Sequence, residues 1–216
     1  MNLQEIHKTF AESEYGQKLE ANVRFGDFKP DYIDNSLWEM LLGDDVNNLR
    51  HMPHTLEITR QFIRHEKIGG MLLRLTAISH DWGEAVVGDI ALPDKEGQST
   101  ADEEKAYLDI AYELLGQDAH ILSEVPKVLW GEPGLHRLTE PFNAIEYIGY
   151  CQTGVRAGNV AEMIANGVLK INLPRQHIDG LVGGLLSLNK MVGIKNYPKL
   201  AKYTERYRSI PLIMGY

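Results

Sequence analysis

Residues 71–90 read MLLRLTAISHDWGEAVVGDI, and the interpretation of the whole chain turns on them. Leu72, Leu75, Ile78 and the run from Ser79 to Trp82 have the spacing of a buried helix, which delivers His80 and Asp81 together. An adjacent His-Asp pair means little alone, since 8 His and 12 Asp in 216 residues give about 0.4 such pairs by random placement. Its surroundings add weight. His80 and Glu84 are four apart and Asp81 and Glu84 three apart, so one helix turns all three toward roughly one side. Imidazole nitrogen and carboxylate oxygen are the donors a first-row divalent ion prefers.

Outward from this stretch the signals are almost all helical. Asn2 and Glu5 form a capping box that opens a first helix, and the stretch from Tyr15 to Pro30, with Gly16 and Gly26, interrupts it. Asn35 caps a short helix through Leu42 that Gly43 ends. Pro53 predicts the start of another, closed by Gly69 and Gly70. The segment Ile90 to Gln98, with Pro93 and Gly97, reads as a loop. Thr100 and Glu103 form a second capping box, and Tyr107, Ile110, Ala111 and Leu114 give an amphipathic stripe that stops at Gly116. Further helices are predicted from Asp118 to Trp130, Pro141 to about Ala165, and Arg175 to Leu188. No run alternates with period two for long enough to make a sheet. The predicted class is all-α.

Composition narrows the partners. Thirty acidic against 22 basic side chains give a formal charge of −8, which argues against a grip on long nucleic acid, built as it is from clustered Lys and Arg. The single cysteine, Cys151, excludes an intrachain disulfide and fits a reducing cytoplasm. The weakly polar stretch from Gly180 to Leu188 falls far short of the ~20 residues that span a bilayer, so no membrane partner is expected. From Pro198 to Tyr216, Lys199, Lys202, Arg206 and Arg208 alternate with Tyr203 and Tyr207; this reads as a solvated helix face whose aromatics pack on the body.

A metal site needs more ligands than one pair. His54 supplies the next: in the first turn of a helix begun at Pro53, with Ile58 and Phe62 on its face, it points inward. His51 competes with it, but precedes Pro53 and is placed in the loop.

His54, His80-Asp81, Glu84 and Gly88-Asp89-Ile90 together resemble the HD-domain metal-dependent phosphohydrolases, and the HDxxExxxGD[IL] string is most similar to their 5′-deoxynucleotidase branch. The match is specific from about Met52 to Gly116 and patchier to about Asn159. The resemblance implies an HD-type helical bundle with the metal site between central helices. It divides the chain into a helical extension or lid over residues 1–45, a core over 46–170, and C-terminal helices over 171–216 packing on that core, one domain overall. It implies His54, His80 and Asp81 as ligands to a divalent ion such as Mn²⁺, Co²⁺ or Mg²⁺. Glu84 takes the acid-base role and Asp89 faces the sugar. The family's fourth ligand, an aspartate, falls by counting back from Ala157-Gly158-Asn159 on Asn143, and Glu146, one turn on, is the alternative carboxylate. Arg50 and Trp38 are the nearest candidates for the phosphate-binding arginine and its neighbouring aromatic.

The function that follows is removal of the 5′-phosphate from deoxynucleoside monophosphates. Hydrolysis of nucleoside triphosphates or cyclic nucleotides on the same site is one alternative. A degenerate domain that binds nucleotide without turnover is another. The family resemblance and the Gly-rich apolar helix near Gly180 also point to a homodimer.

Overall fold

In the computed structural model, Asn2 opens the chain as its sequence predicts: its side-chain oxygen accepts from the backbone N–H groups of Gln4 and Glu5 at 3.0 Å, and the Glu5 carboxylate accepts from Asn2 N at 2.7 Å. The structure describes residues 1–68, 70–88, 97–131 and 136–215. In chain order its α-helices are α1 (Leu3–Ala11), α2 (Glu14–Ala21), α3 (Asn35–Leu42), α4 (Asn48–Glu66), α5 (Met71–Ser79), α6 (Glu84–Val87), α7 (Gly97–Leu115), α8 (Val125–Leu129), α9 (Thr139–Ala165), α10 (Arg175–Leu188), α11 (Lys195–Thr204) and α12 (Ser209–Met214). No strand occurs among the described residues, so the chain is all-α. No helix among them is long and apolar enough to cross a membrane.

The chain divides into two compact units, one of residues 1–22 and 47–145, the other of 23–46 and 146–216. Residues 1–45 are thus shared between the two units, and one boundary lies within α9. The loop predicted around residues 90–98 falls largely outside the described residues, and α7 already begins at Gly97, so Thr100 lies inside the helix instead of capping it. The helix predicted from Asp118 to Trp130 is a 3₁₀ segment, Gly116–Leu122, followed by α8.

In the first unit, Ser13 caps α2 and turns the chain sharply after α1: its hydroxyl donates to Phe10 O at 2.6 Å and accepts from Gly16 N at 3.3 Å. This cap lets α2 form where the glycines suggested an interruption. Helix α4 begins at Asn48, five residues before the predicted start, because Asn47 caps it through bonds of 3.1 Å to Leu49 N and Arg50 N. Pro53 is therefore inside the helix, where it removes the one backbone bond that would reach the Leu49 carbonyl. The buried face of α4 comprises His51, Thr55, Ile58 and Phe62, positions in phase at 100° per residue. On α7, Tyr107, Ile110 and Ala111 are buried as the amphipathic stripe predicts.

The second unit closes over Trp38, Leu41 and Leu42 of α3, Ala157, Ala161 and Ile164 of α9, and Leu181, Leu185 and Leu188 of α10. Asp34 caps α3 by accepting from Leu37 N at 2.7 Å, and Gly43 ends it at φ +82°, a conformation that favours glycine. A buried ion pair links Arg24 Nη1 to Asp45 Oδ1 at 3.3 Å; the Asp45 carboxylate also accepts from the Thr153 hydroxyl, and Arg24 lies over the Phe25 and Tyr150 rings. On α10, Gly180 and Gly184 face Tyr32 and the Phe28 carbonyl closely, while Gly183 has no close neighbour among the described residues, so two of the helix's three glycines are covered from within the chain. Tyr203 stacks with Tyr147 and Tyr207, the last of these buried. Aromatic packing thus accounts for the tyrosines of the basic C-terminal segment.

Candidate metal centre

Helix α5 stops at Ser79, and the chain then makes a series of tight turns in which Trp82 N bonds to Ser79 O, Glu84 N to Asp81 O, and Ala85 N to Trp82 O at 3.0–3.2 Å. The motif is thus a 3₁₀-like corner between α5 and α6, where a single continuous helix was expected. Trp82, fully buried, fixes the corner: its ring stacks on Phe10 of α1 at 4.6 Å with planes 8° apart, and lies 6.0 Å from Tyr107. Ser79 uses its one hydroxyl proton on the Leu75 carbonyl at 2.8 Å, so the Tyr107 hydroxyl donates to Ser79 Oγ at 2.9 Å. Burial pushes the Tyr107 hydroxyl well above the usual phenol range, keeping it a donor.

Gly83 is required for a steric reason. A Cβ there would stand 2.5 Å from the Glu103 carbonyl oxygen on α7 and 2.8 Å from Glu103 Cγ. Because backbone is in the way, Gly83→Ala should destabilise the protein by about 1–3 kcal/mol, read as a lower denaturant midpoint. An unchanged midpoint would mean that α7 does not pack as closely as this.

The corner brings three buried side chains together: His51, His80 and Asp81 offer ligand atoms that all lie within 4.8 Å of one another. His80 Nε2 is 3.2 Å from Asp81 Oδ1, and His51 Nε2 is 4.0 Å from Asp81 Oδ2. The imidazoles meet edge to face at 5.0 Å, and Phe142 of α9 closes on His80 at 5.5 Å. His80 Nδ1 lies 3.1 Å from the Ala77 carbonyl. A carbonyl only accepts, so Nδ1 carries the proton and, in the neutral ring, Nε2 presents a lone pair toward the carboxylate.

Two acceptors facing each other at 3.2 Å in a buried place repel unless a cation or a proton lies between them. Two ligands on one zinc-like ion, with bonds of about 2.1 Å, stand roughly 3–3.5 Å apart, the separation His80 and Asp81 already have. An Nδ1 bonded to a backbone carbonyl is also the usual way a metal-binding histidine is oriented. The donor set therefore fits a first-row divalent ion, without fixing which one.

The positions of the expected site residues vary. His80 and Asp81 are in the group. His54 is half-buried and is not one of its members; the member from α4 is His51, with the Thr55 hydroxyl 3.3 Å from its Nε2. Sequence phase could have found His51, because Ile58 and Phe62 are seven and eleven residues on, each within about 20° of its direction, whereas His54 is further out of phase with both. Glu84 is half-exposed and begins α6. Asp89 lies outside the described residues. Asn143 is exposed and is not a member of the group: Phe142, Ile145 and Ile148 take the buried side of α9. Glu146 is half-buried and belongs to the second unit. Arg50 is exposed in the first turn of α4. Trp38 is wholly enclosed in the second unit's core, so it is a packing residue and offers no face to a substrate. No family model, curated protein or solved structure matches this chain.

Proposed function

We propose that the protein is a metal-dependent phosphohydrolase of the HD type, acting on deoxynucleoside 5′-monophosphates. The observation that carries this reading is the buried convergence of His51, His80 and Asp81 within a chain that also carries the HDxxExxxGD string. His51, His80 and Asp81 would hold the ion, and a set of three protein ligands, the number found among the described residues, is the one that catalytic sites use to keep a position open for water or substrate. A divalent ion bound there supplies Lewis acidity toward a phosphoryl oxygen and toward water. His80 is held in its ligating tautomer by Ala77, and Trp82 keeps the corner in register. Glu84, one turn beyond Asp81, is the residue to hand a proton to the departing 5′ oxygen, a role that requires it within about 3 Å of that atom or one water away. By resemblance, Asp89 faces the sugar.

The test is phosphate release from a panel of nucleoside mono-, tri- and cyclic phosphates with added Mn²⁺ or Co²⁺. Release from deoxynucleoside monophosphates is expected. Turnover confined to triphosphates or cyclic nucleotides would transfer the reading to those substrates. The exposed Asn143 favours one second reading, a domain that binds nucleotide and does not hydrolyse it. Binding without release under any metal would decide for that one.

A further inference from the structure

Helices α4 and α5 are consecutive, four residues apart in sequence, and pack on each other as an antiparallel hairpin does. Its open end carries His51 and His80. The other end borders a cavity of about 500 Å³ lined by Arg60, Ile63 and Arg64 of α4, Arg74 of α5, and Leu3 of α1. Arg64 lies 13 residues beyond His51, which puts roughly 20 Å of helix between the two.

Three guanidinium groups and no carboxylate line this cavity among the described residues, in a chain whose formal charge is −8. Arg74 Nε is shielded from solvent and has no hydrogen-bond partner among the described residues. A buried N–H of this kind is normally satisfied; being shielded, Nε lies out of an anion's direct reach, so Arg74 takes part through the guanidinium atoms with which it lines the cavity. Arg60 reaches Glu57 at 3.4 Å, an exposed pair on one helix face that water screens, which leaves most of its donors for another partner. Planar guanidinium forks match the oxygen geometry of phosphate, often with two bonds each. Leu3 and Ile63 supply apolar wall, and the volume suits a small molecule.

We propose that this end of the hairpin is a second ligand site, in which Arg60, Arg64 and Arg74 bind the phosphate group of a small phosphorylated molecule independently of the metal group. Inorganic pyrophosphate is the probe, titrated calorimetrically into the full chain in the presence of EDTA, so that the His51–His80–Asp81 group holds no ion. Saturable binding near one per chain is expected. Arg64→Ala and Arg74→Gln should each weaken it at least about tenfold, the size expected for loss of a charge-assisted bond. His80→Ala, and Lys190→Ala at an exposed position of the second unit, should leave it unchanged. Arg60 and Arg64 are exposed, so the Arg60→Ala/Arg64→Ala pair tests the site even where Arg74→Gln fails to fold. Absence of binding at millimolar pyrophosphate, its loss in His80→Ala, or equal weakening by Lys190→Ala would overturn the proposal.

Discussion

His51→Ala should abolish tight divalent-metal binding while His54→Ala leaves it nearly intact. The two histidines are three residues apart on α4, but only His51 is on the buried face, with its Nε2 4.0 Å from Asp81 Oδ2. Substitutions of residues that merely orient a metal ligand cost about 10–100-fold in affinity. Removing one of three ligands should therefore exceed a hundredfold, and phosphate release should fall to background with it. For His54→Ala the expected change in affinity is less than about threefold. Titration of each variant with Mn²⁺ or Co²⁺, alongside circular dichroism to confirm that the helices persist, measures the difference. A larger loss in His54→Ala than in His51→Ala would return the ligand role to His54 and invalidate the three-residue group described above.

That His51 and not His54 joins the group shows what sequence carries and what it does not. A proline in the first turn is a strong helix-start signal, and it placed His54 at the front of α4. The actual start is set by Asn47, whose side chain satisfies two of the first N–H groups and so offsets the bond that Pro53 omits. A cap acts through three-dimensional geometry that composition expresses only weakly. The apolar phase of Ile58 and Phe62 was available, and it favours His51. Asn143 makes the same point: counting back from Ala157-Gly158-Asn159 preserves spacing along the chain but carries no information about which face of α9 is buried. Where local chemistry is self-contained, as in the Asn2–Glu5 capping box, the Gly43 terminus and the helix from Arg175 to Leu188, sequence and structure agree residue by residue. The division into two units is of the other kind, because it depends on pairing residues 23–46 with 146–216, a long-range association with no local signature.

Trp82→Ala should be the most destabilising single substitution in the motif, costing about 3–5 kcal/mol. Trp82 is fully shielded, stacked on Phe10 and next to Tyr107, so truncation removes a large apolar surface and leaves a cavity between α1, α7 and the corner. Its indole N–H has no hydrogen-bond partner among the described residues, which means the loss is one of packing and not of a polar contact. Trp82→Phe, which keeps a ring against Phe10 and sacrifices no hydrogen bond, should therefore cost well under half as much. Denaturant unfolding of both variants, measured without added metal, separates these expectations, and a cost below about 1 kcal/mol for Trp82→Ala would mean that the ring does not hold the corner. The consequence reaches the metal group directly. His80 and Asp81 immediately precede Trp82, and the backbone bonds from Trp82 N to Ser79 O and from Ala85 N to Trp82 O define the turn that presents them. Under conditions where Trp82→Ala remains folded, its metal affinity should still fall, since ligands misplaced by a fraction of an ångström no longer converge. Stability and metal affinity should thus decline together at position 82, whereas His51→Ala separates them.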